Sequence, residues 1–351
     1  MSYQDRKDDH IRLFRAFYRK TSNDFDHVVF VHHALPEMGI QDVNLSTTIG
    51  PLQLPYPLYI NAMTGGSEQT LHINEQLAIV ARKTGLPIAT GSMSIILTHP
   101  ETEHTFRVIR QANPKGIIFA NMGAGYGPNE AQRMIECVEA DALQIHLNAP
   151  QELVMPEGDR DFSSWMHNIE KIVKTVTVPV IVKEVGFGMS RETIRRLASI
   201  GVTMIDVGGR GGTNFIQIEN ERRRNQDFAY LQDWGQSTVI SLLEALQENN
   251  KVEYMASGGI RSMLDAVKAL ALGAKAVGIA GRYLYTLLKH GIDALIHLIQ
   301  TDLEELRHLY TLLGARNWYD LQKTDIIFKQ EVVGWCDARG IDYKRYANRS
   351  R

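Results

Sequence analysis

The stretch QIHLNAPQE, Gln144 to Glu152, sets a histidine, amides and a carboxylate close together. If it opens as a strand, alternation puts His146 and Asn148 on one face, with Gln151 and Glu152 in the turn that follows. Such a set suits a divalent cation carrying an anionic ligand, because magnesium takes one or two carboxylates and fills its shell with phosphate oxygens and water. A satisfied histidine beside a surface glutamate is the plain alternative. Lys183 stands in VIVKEVG between apolar residues. Removing an ammonium group from water there demands a partner, and an anionic cofactor edge would be one.

Between Ser257 and Gly281 two short apolar runs each end on glycine just before a helical pattern. Gly258-Gly259-Ile260-Arg261 forms one such turn and Ala280-Gly281-Arg282 the other. Glycine lets an anion approach the main chain, and a helix start offers free N–H groups and the positive end of a dipole. One turn of this kind reads as a simple helix entry; two in consecutive units read as a phosphate site. Asn61-Ala62-Met63-Thr64, Gly91-Ser92, Asn121, Lys183 and Thr213 close other apolar runs and could surround a flat ring. Arg6, Lys7 and His10 fall within one or two turns of a helix, which as a bare charge run reads as a solvated face.

What positions these groups is an alternation of β-rich runs and helical patterns beginning at residue 57. The strands expected start at Pro57, Pro87, Gly116, Ala142, Pro179, Thr203, Glu253 and Lys275. Their apolar runs are continuous, as in parallel strands covered on both faces. Eight strands, each followed by a helix, predict an α/β (β/α)8 TIM barrel, although a doubly wound sheet has the same local pattern. The two longest spacings open after the fourth and sixth strands. They make 148–165 and 208–236 the expected active-site loops, since barrel chemistry sits at the strands' C-terminal face. The second, rich in glycine and polar residues, suits a segment that orders over a ligand. Residues 1–50 read as an arm outside the barrel and 300–351 as added helices with a basic tail, all in one domain, 1–351.

The chain has 351 residues, 44% of them hydrophobic, enough for a large core. Its 38 basic and 40 acidic residues leave a formal charge of −2 and no electrostatic case for nucleic acid or an anionic membrane. Two cysteines, Cys137 and Cys336, make neither a disulfide framework nor a zinc spacing. The charged N-terminus and the lack of a long apolar stretch point to a cytosolic protein.

Together RKDDHI, NAMTGG, ANMG, QIHLNAPQE, VPVIVKEVGFGMS, GGRGGTNFIQIEN and SGGIRSMLDAVKALALGAKAVGIAG resemble the type 2, flavin-dependent isopentenyl-diphosphate isomerases over essentially the whole chain. The SGGIR turn is shared by many FMN barrels; HLNxxQE and the N-terminal Arg-Lys are more specific. The resemblance implies FMN, its phosphate on Gly258, Gly259, Arg261, Ala280 and Gly281. Its ring would lie near Ala62, Met63, Thr64, Ser92, Asn121, Lys183 and Thr213, with Gly208 in backbone contact. It also implies Mg²⁺ held by Glu152 on the substrate diphosphate, with Arg6, Lys7, His10, Ser94, His146, Asn148 and Gln151 lining the substrate site. Many members carry GSQRA where this chain has GSMSI, so Ser94 replaces one potential cation.

The implied reaction interconverts isopentenyl and dimethylallyl diphosphate in isoprenoid biosynthesis. FMN would be reduced, usually by NADPH, without net consumption of electrons, in a homo-oligomer, a tetramer or octamer. Protonating an isolated alkene needs a positioned acid and stabilisation of cation character. No acid–base pair of side chains stands out, which suits a reduced flavin as acid and base, with Lys183 holding its anionic form. Gln151 could orient or relay, alongside His146, and Glu219 is a weaker proton acceptor. Another FMN barrel oxidoreductase is the alternative, but the turn after strand six carries Gly208 where a hydroxy-acid oxidase would place a histidine base. A phosphate-binding barrel without catalysis is the remaining one.

Overall fold

The computed structural model describes residues 3–19, 21–223, 225–248 and 251–350, with only the backbone for 3–6. Eight parallel strands close into a barrel: Leu58–Ile60, Ile88–Ala89, Ile118–Gly123, Ala142–Leu147, Val180–Glu184, Met204–Asp206, Glu253–Ser257 and Ala274–Ile279. Seven fall within the expected runs and the eighth starts one residue early, at Ala274; it pairs back with the first, Val277 N donating to Pro57 O at 2.9 Å.

Alternation along the strands gives the barrel its layers. Tyr59, Ala89, Phe119, Ala142, Ile181, Met204, Met255 and Ala276, one from each strand, form a single apolar cluster inside the ring. Two residues further along each strand stand Asn61, Gly91, Asn121, Gln144, Lys183, Asp206, Ser257 and Gly278. The six of these that carry side chains are polar and buried. The interior is thus a hydrocarbon base under a polar layer, and the polar layer faces the C-terminal ends. Outside the ring the helices turn their apolar faces inward to build the main core. Helix starts are capped locally, Ser262 accepting from Asp265 N and Asn214 from Gln217 N.

The arm is more involved than a segment outside the barrel. A hairpin, Thr47–Ile49 with Leu52–Leu54, closes the N-terminal end, its Ile49 and Leu54 completing the apolar cluster. A helix, Tyr3–Phe17, lies over the opposite end, where Lys7, Phe14 and Phe17 line the cavity. Between them Val28–Phe30 pairs antiparallel with Ile326–Phe328, so the C-terminal region contains a strand as well as helices. The 208–236 segment holds a helix at Phe215–Glu221. In 148–165 a short helix, Ala149–Val154, carries Gln151 and Glu152.

Candidate active site

A cavity of about 1190 Å³ opens at the C-terminal ends of the strands, with Asn61, Asn121, Lys183 and Ser257 of the polar layer at its floor. At one side the turn after strand seven passes so close to the turn after strand six that a Cβ on Gly258 would lie 1.9 Å from Gly209 O. Gly258 and Gly259 both take positive φ, +89° and +76°. Among the described residues, the N–H groups of Gly259, Ile260 and Gly281 find no acceptor in the chain. All three residues line the cavity, in the turn before helix Met263–Ala271 and at the start of helix Gly281–Leu312, which fits the phosphate of FMN.

Arg261, expected beside the phosphate, lines the cavity. Its guanidinium is engaged by Asp26 at 2.6 and 2.9 Å, by Asp265 at 2.9 and 3.1 Å, and by Thr21 O at 3.1 Å. The cation ties the arm to the turn, leaving main-chain donors to meet an anion. Asn23 reinforces this, donating from Nδ2 to Gly259 O at 2.9 Å.

Ala62, Met63, Ser92, Ser94, Asn121, Lys183, Gly208, Thr213, Ala280 and Gly281 all line the cavity. Thr64 does not; its hydroxyl is buried without a partner. Ser94 reaches only Ser92, Oγ to Oγ 3.3 Å. Gly208 is set by close packing, since a Cβ there would lie 2.1 Å from Glu184 O. Lys183 donates to Glu184 O at 2.8 Å. Burial lowers its pKa, opposed by the negative charges of Asp206 and Glu184.

The other side of the cavity gathers His146, Asn148, Gln151, Glu152, Lys7 and His10. His146 Nδ1 lies 2.7 Å from Asn121 Oδ1, so that nitrogen carries the proton and Nε2 is left as an acceptor. Burial, with the nearby charges of Lys183 and Lys7, lowers its pKa to about 3. Asn148 Nδ2 donates to Glu152 Oε1 at 2.7 Å, and Asp159 N to Glu152 Oε2 at 2.9 Å. Among the described residues no three His, Cys, Asp or Glu side chains cluster as a metal site. A magnesium ion on Glu152 would therefore depend on substrate oxygens. The Arg6 side chain lies outside the described residues.

Glu219, expected as a weaker proton acceptor, stands in a network of polar and basic neighbours. It is fully buried and accepts from Gln151 Nε2 at 2.9 Å and Arg222 Nη1 at 2.6 Å, while His10 Nε2 lies 2.9 Å from its Oε1 in ion-pair contact. Burial pushes its pKa up, but the contacts from His10, Gln151 and Arg222 outweigh it and hold the group at about 2. It is a fixed anion that organises its neighbours, His10 included.

Several site residues escape a reading by motif. Asp206, fully buried, accepts from Tyr59 Oη at 2.6 Å, Ser257 Oγ at 2.9 Å and Gly208 N at 3.1 Å. Gln144 is buried beside Asn121 with its Nε2 unpartnered. Asn23 and Asp26 sit in the arm. An acid inside the apolar run TMIDV was the available signal for Asp206, and strand alternation would have found Gln144.

Residues 127–328 match the family model described as FMN-dependent dehydrogenase. Proteins named isopentenyl-diphosphate delta-isomerase, from Staphylococcus epidermidis and Staphylococcus haemolyticus, are 48% and 47% identical over 97% of this chain and 98% of their own length. Among solved structures, a mandelate oxidase variant with an FMN adduct aligns at TM-score 0.61 and 18% identity, covering 92% of each chain. A flavocytochrome b2 variant with pyruvate bound aligns at 0.64 and 22%, covering 88% of this chain and 80% of that one.

Proposed function

Since the chain belongs to the FMN-dependent isopentenyl-diphosphate delta-isomerase family, we propose that it converts isopentenyl diphosphate to dimethylallyl diphosphate. One proton is added at the terminal methylene and another leaves the carbon beside the diphosphate-bearing methylene, so no electrons are consumed overall. The observation that carries this reading is the meeting, in one cavity, of unpaired main-chain donors after strands seven and eight with the His146, Asn148, Gln151 and Glu152 group.

Reduced FMN, when bound, supplies the acid and base chemistry that these side chains lack. Gly258, Gly259, Ala280 and Gly281 would hold its phosphate, and Lys183 sets a positive charge in the floor of the cavity that favours an anionic ring. Neutral His146 offers an acceptor at Nε2 and adds no positive charge where cation character must develop. Glu152 would hold Mg²⁺ on the diphosphate, supported by Lys7, while Asn148 keeps the carboxylate in place. The arm helix and the two long loops wall the cavity and keep water from a reacting cation. NADPH as reductant and a tetrameric or octameric assembly belong to the same proposal.

Proton NMR of isopentenyl diphosphate with the protein, FMN, Mg²⁺ and dithionite or NADPH tests it. Dimethylallyl signals should grow in; their absence from a fully reduced, FMN-loaded sample rejects the reading.

A further inference from the structure

The two long loops rise from different strands, and side chains join them. Arg222, at the end of the helix Phe215–Glu221, holds Glu219 Oε2 with Nη1 and Glu157 Oε1 with Nη2, each at 2.6 Å. Its neighbour Arg223 donates to Val154 O at 3.1 Å. The Arg222 side chain is only 4% exposed and Glu219 wholly buried, an interior ion pair within 208–236; the bond that crosses to 148–165 is the one to the half-exposed Glu157. A buried carboxylate that loses its cation is left as an uncompensated charge, which is costly. His10 is another basic contact, its Nε2 2.9 Å from Glu219 Oε1.

An ionised carboxylate only accepts hydrogen bonds. Glu219 therefore fixes which end of the Gln151 amide it meets: Nε2 donates to Glu219 Oε1, and Gln151 Oε1 turns toward Asn148 Nδ2, 3.5 Å away. Were Glu219 protonated or displaced, the amide could reverse and present its donor instead. We propose that Arg222 is a positioning residue that, by clasping Glu219 and Glu157 across the two loops, makes Gln151 present its carbonyl oxygen to the reaction cavity. The inference rests on the isomerase reading for its catalytic consequence, not for its geometry.

The test is a cycle in the FMN-loaded enzyme: Arg222→Gln, Arg222→Lys, Glu219→Gln and the double variant Arg222→Gln/Glu219→Gln. Arg222→Gln should lower kcat about tenfold or more with KM within about threefold, the signature of misplaced groups rather than lost binding. Arg222→Lys should recover part of the loss. The double variant should be no slower than Glu219→Gln alone, because the arginine acts through that carboxylate. Losses that multiply in the double variant, or a rise in KM at constant kcat, overturn the proposal. Hydrogen exchange of the same proteins gives a readout independent of turnover. Arg222→Gln should speed exchange in both 148–165 and 208–236, and a change confined to 208–236 overturns the clasp even if the wild type proves not to be an isomerase.

Discussion

Burial beside Lys183 and Lys7 keeps His146 neutral, and this ties stability to pH. Between its folded pKa of about 3 and its ordinary value, the unfolded chain binds a proton there that the folded chain refuses. Stability from this residue is complete above roughly pH 6.5 and declines as pH falls, by about 2 kcal/mol at pH 5. In urea unfolding of the FMN-free protein, His146→Asn should shrink the loss between pH 7 and pH 5 by about that amount. Identical losses in both proteins would mean that the imidazole charges freely. Glu152→Gln bears on a different group. It should abolish most Mg²⁺-dependent turnover while FMN stays bound, as read by flavin absorbance; loss of FMN instead would place Glu152 at the cofactor. At this scale the sequence disclosed what lay in motifs. His146, Asn148, Gln151, Glu152 and Lys183 came together as expected, whereas Asp206 and Gln144 needed the register of the whole barrel to show that they share one polar layer. Glu219 was noticed but its surroundings were not, because the basicity of a carboxylate is set by partners such as His10 and Arg222 that spacing alone does not bring near.

Helices, loops and strands carry a second set of consequences. The segment from Thr21 to His27 crosses the turn after strand seven, fastened by Asp26 on Arg261, Asn23 on Gly259 O and Lys268 Nζ on Phe25 O at 2.7 Å. With FMN's phosphate held at this turn, as proposed, its release would require the segment to lift. Asp26→Asn removes a bidentate but partly exposed ion pair, worth about 1 kcal/mol, and should speed FMN dissociation roughly three- to tenfold. The recovery of free flavin fluorescence after dilution measures it, and an unchanged rate means that the segment does not restrain the cofactor. The eight barrel strands were legible because each is a compact β-rich run closed by glycine or a polar turn. Val28–Phe30 and Ile326–Phe328 were not, since three residues show no period and their partners lie at opposite ends of the chain. The helix Phe215–Glu221 was hidden for another reason: the glycines and charges around it read as a loop, although Asn214 supplied a capping signal.

Taken whole, the molecule separates chemistry from support along the barrel axis. The polar layer and cavity occupy one end; the other is sealed by the hairpin, whose Leu54 is 1% exposed. Leu54→Ala should cost about 2–5 kcal/mol in chemical unfolding, as a cavity left in a packed core does, with FMN affinity unchanged. A fall in FMN affinity would show that the seal and the site are coupled. Among the described residues no helix is long and apolar enough to cross a membrane. The hairpin also constrains how the chain is made. Ile49 and Leu54 leave the ribosome early, yet the side chains that receive them include Met204, Met255 and Ala276. Asp26 must wait for Arg261, and Val28–Phe30 for Ile326–Phe328. These N-terminal segments are therefore seated only after the later strands and turns that receive them have been made, so their contacts are long-range ones that form late.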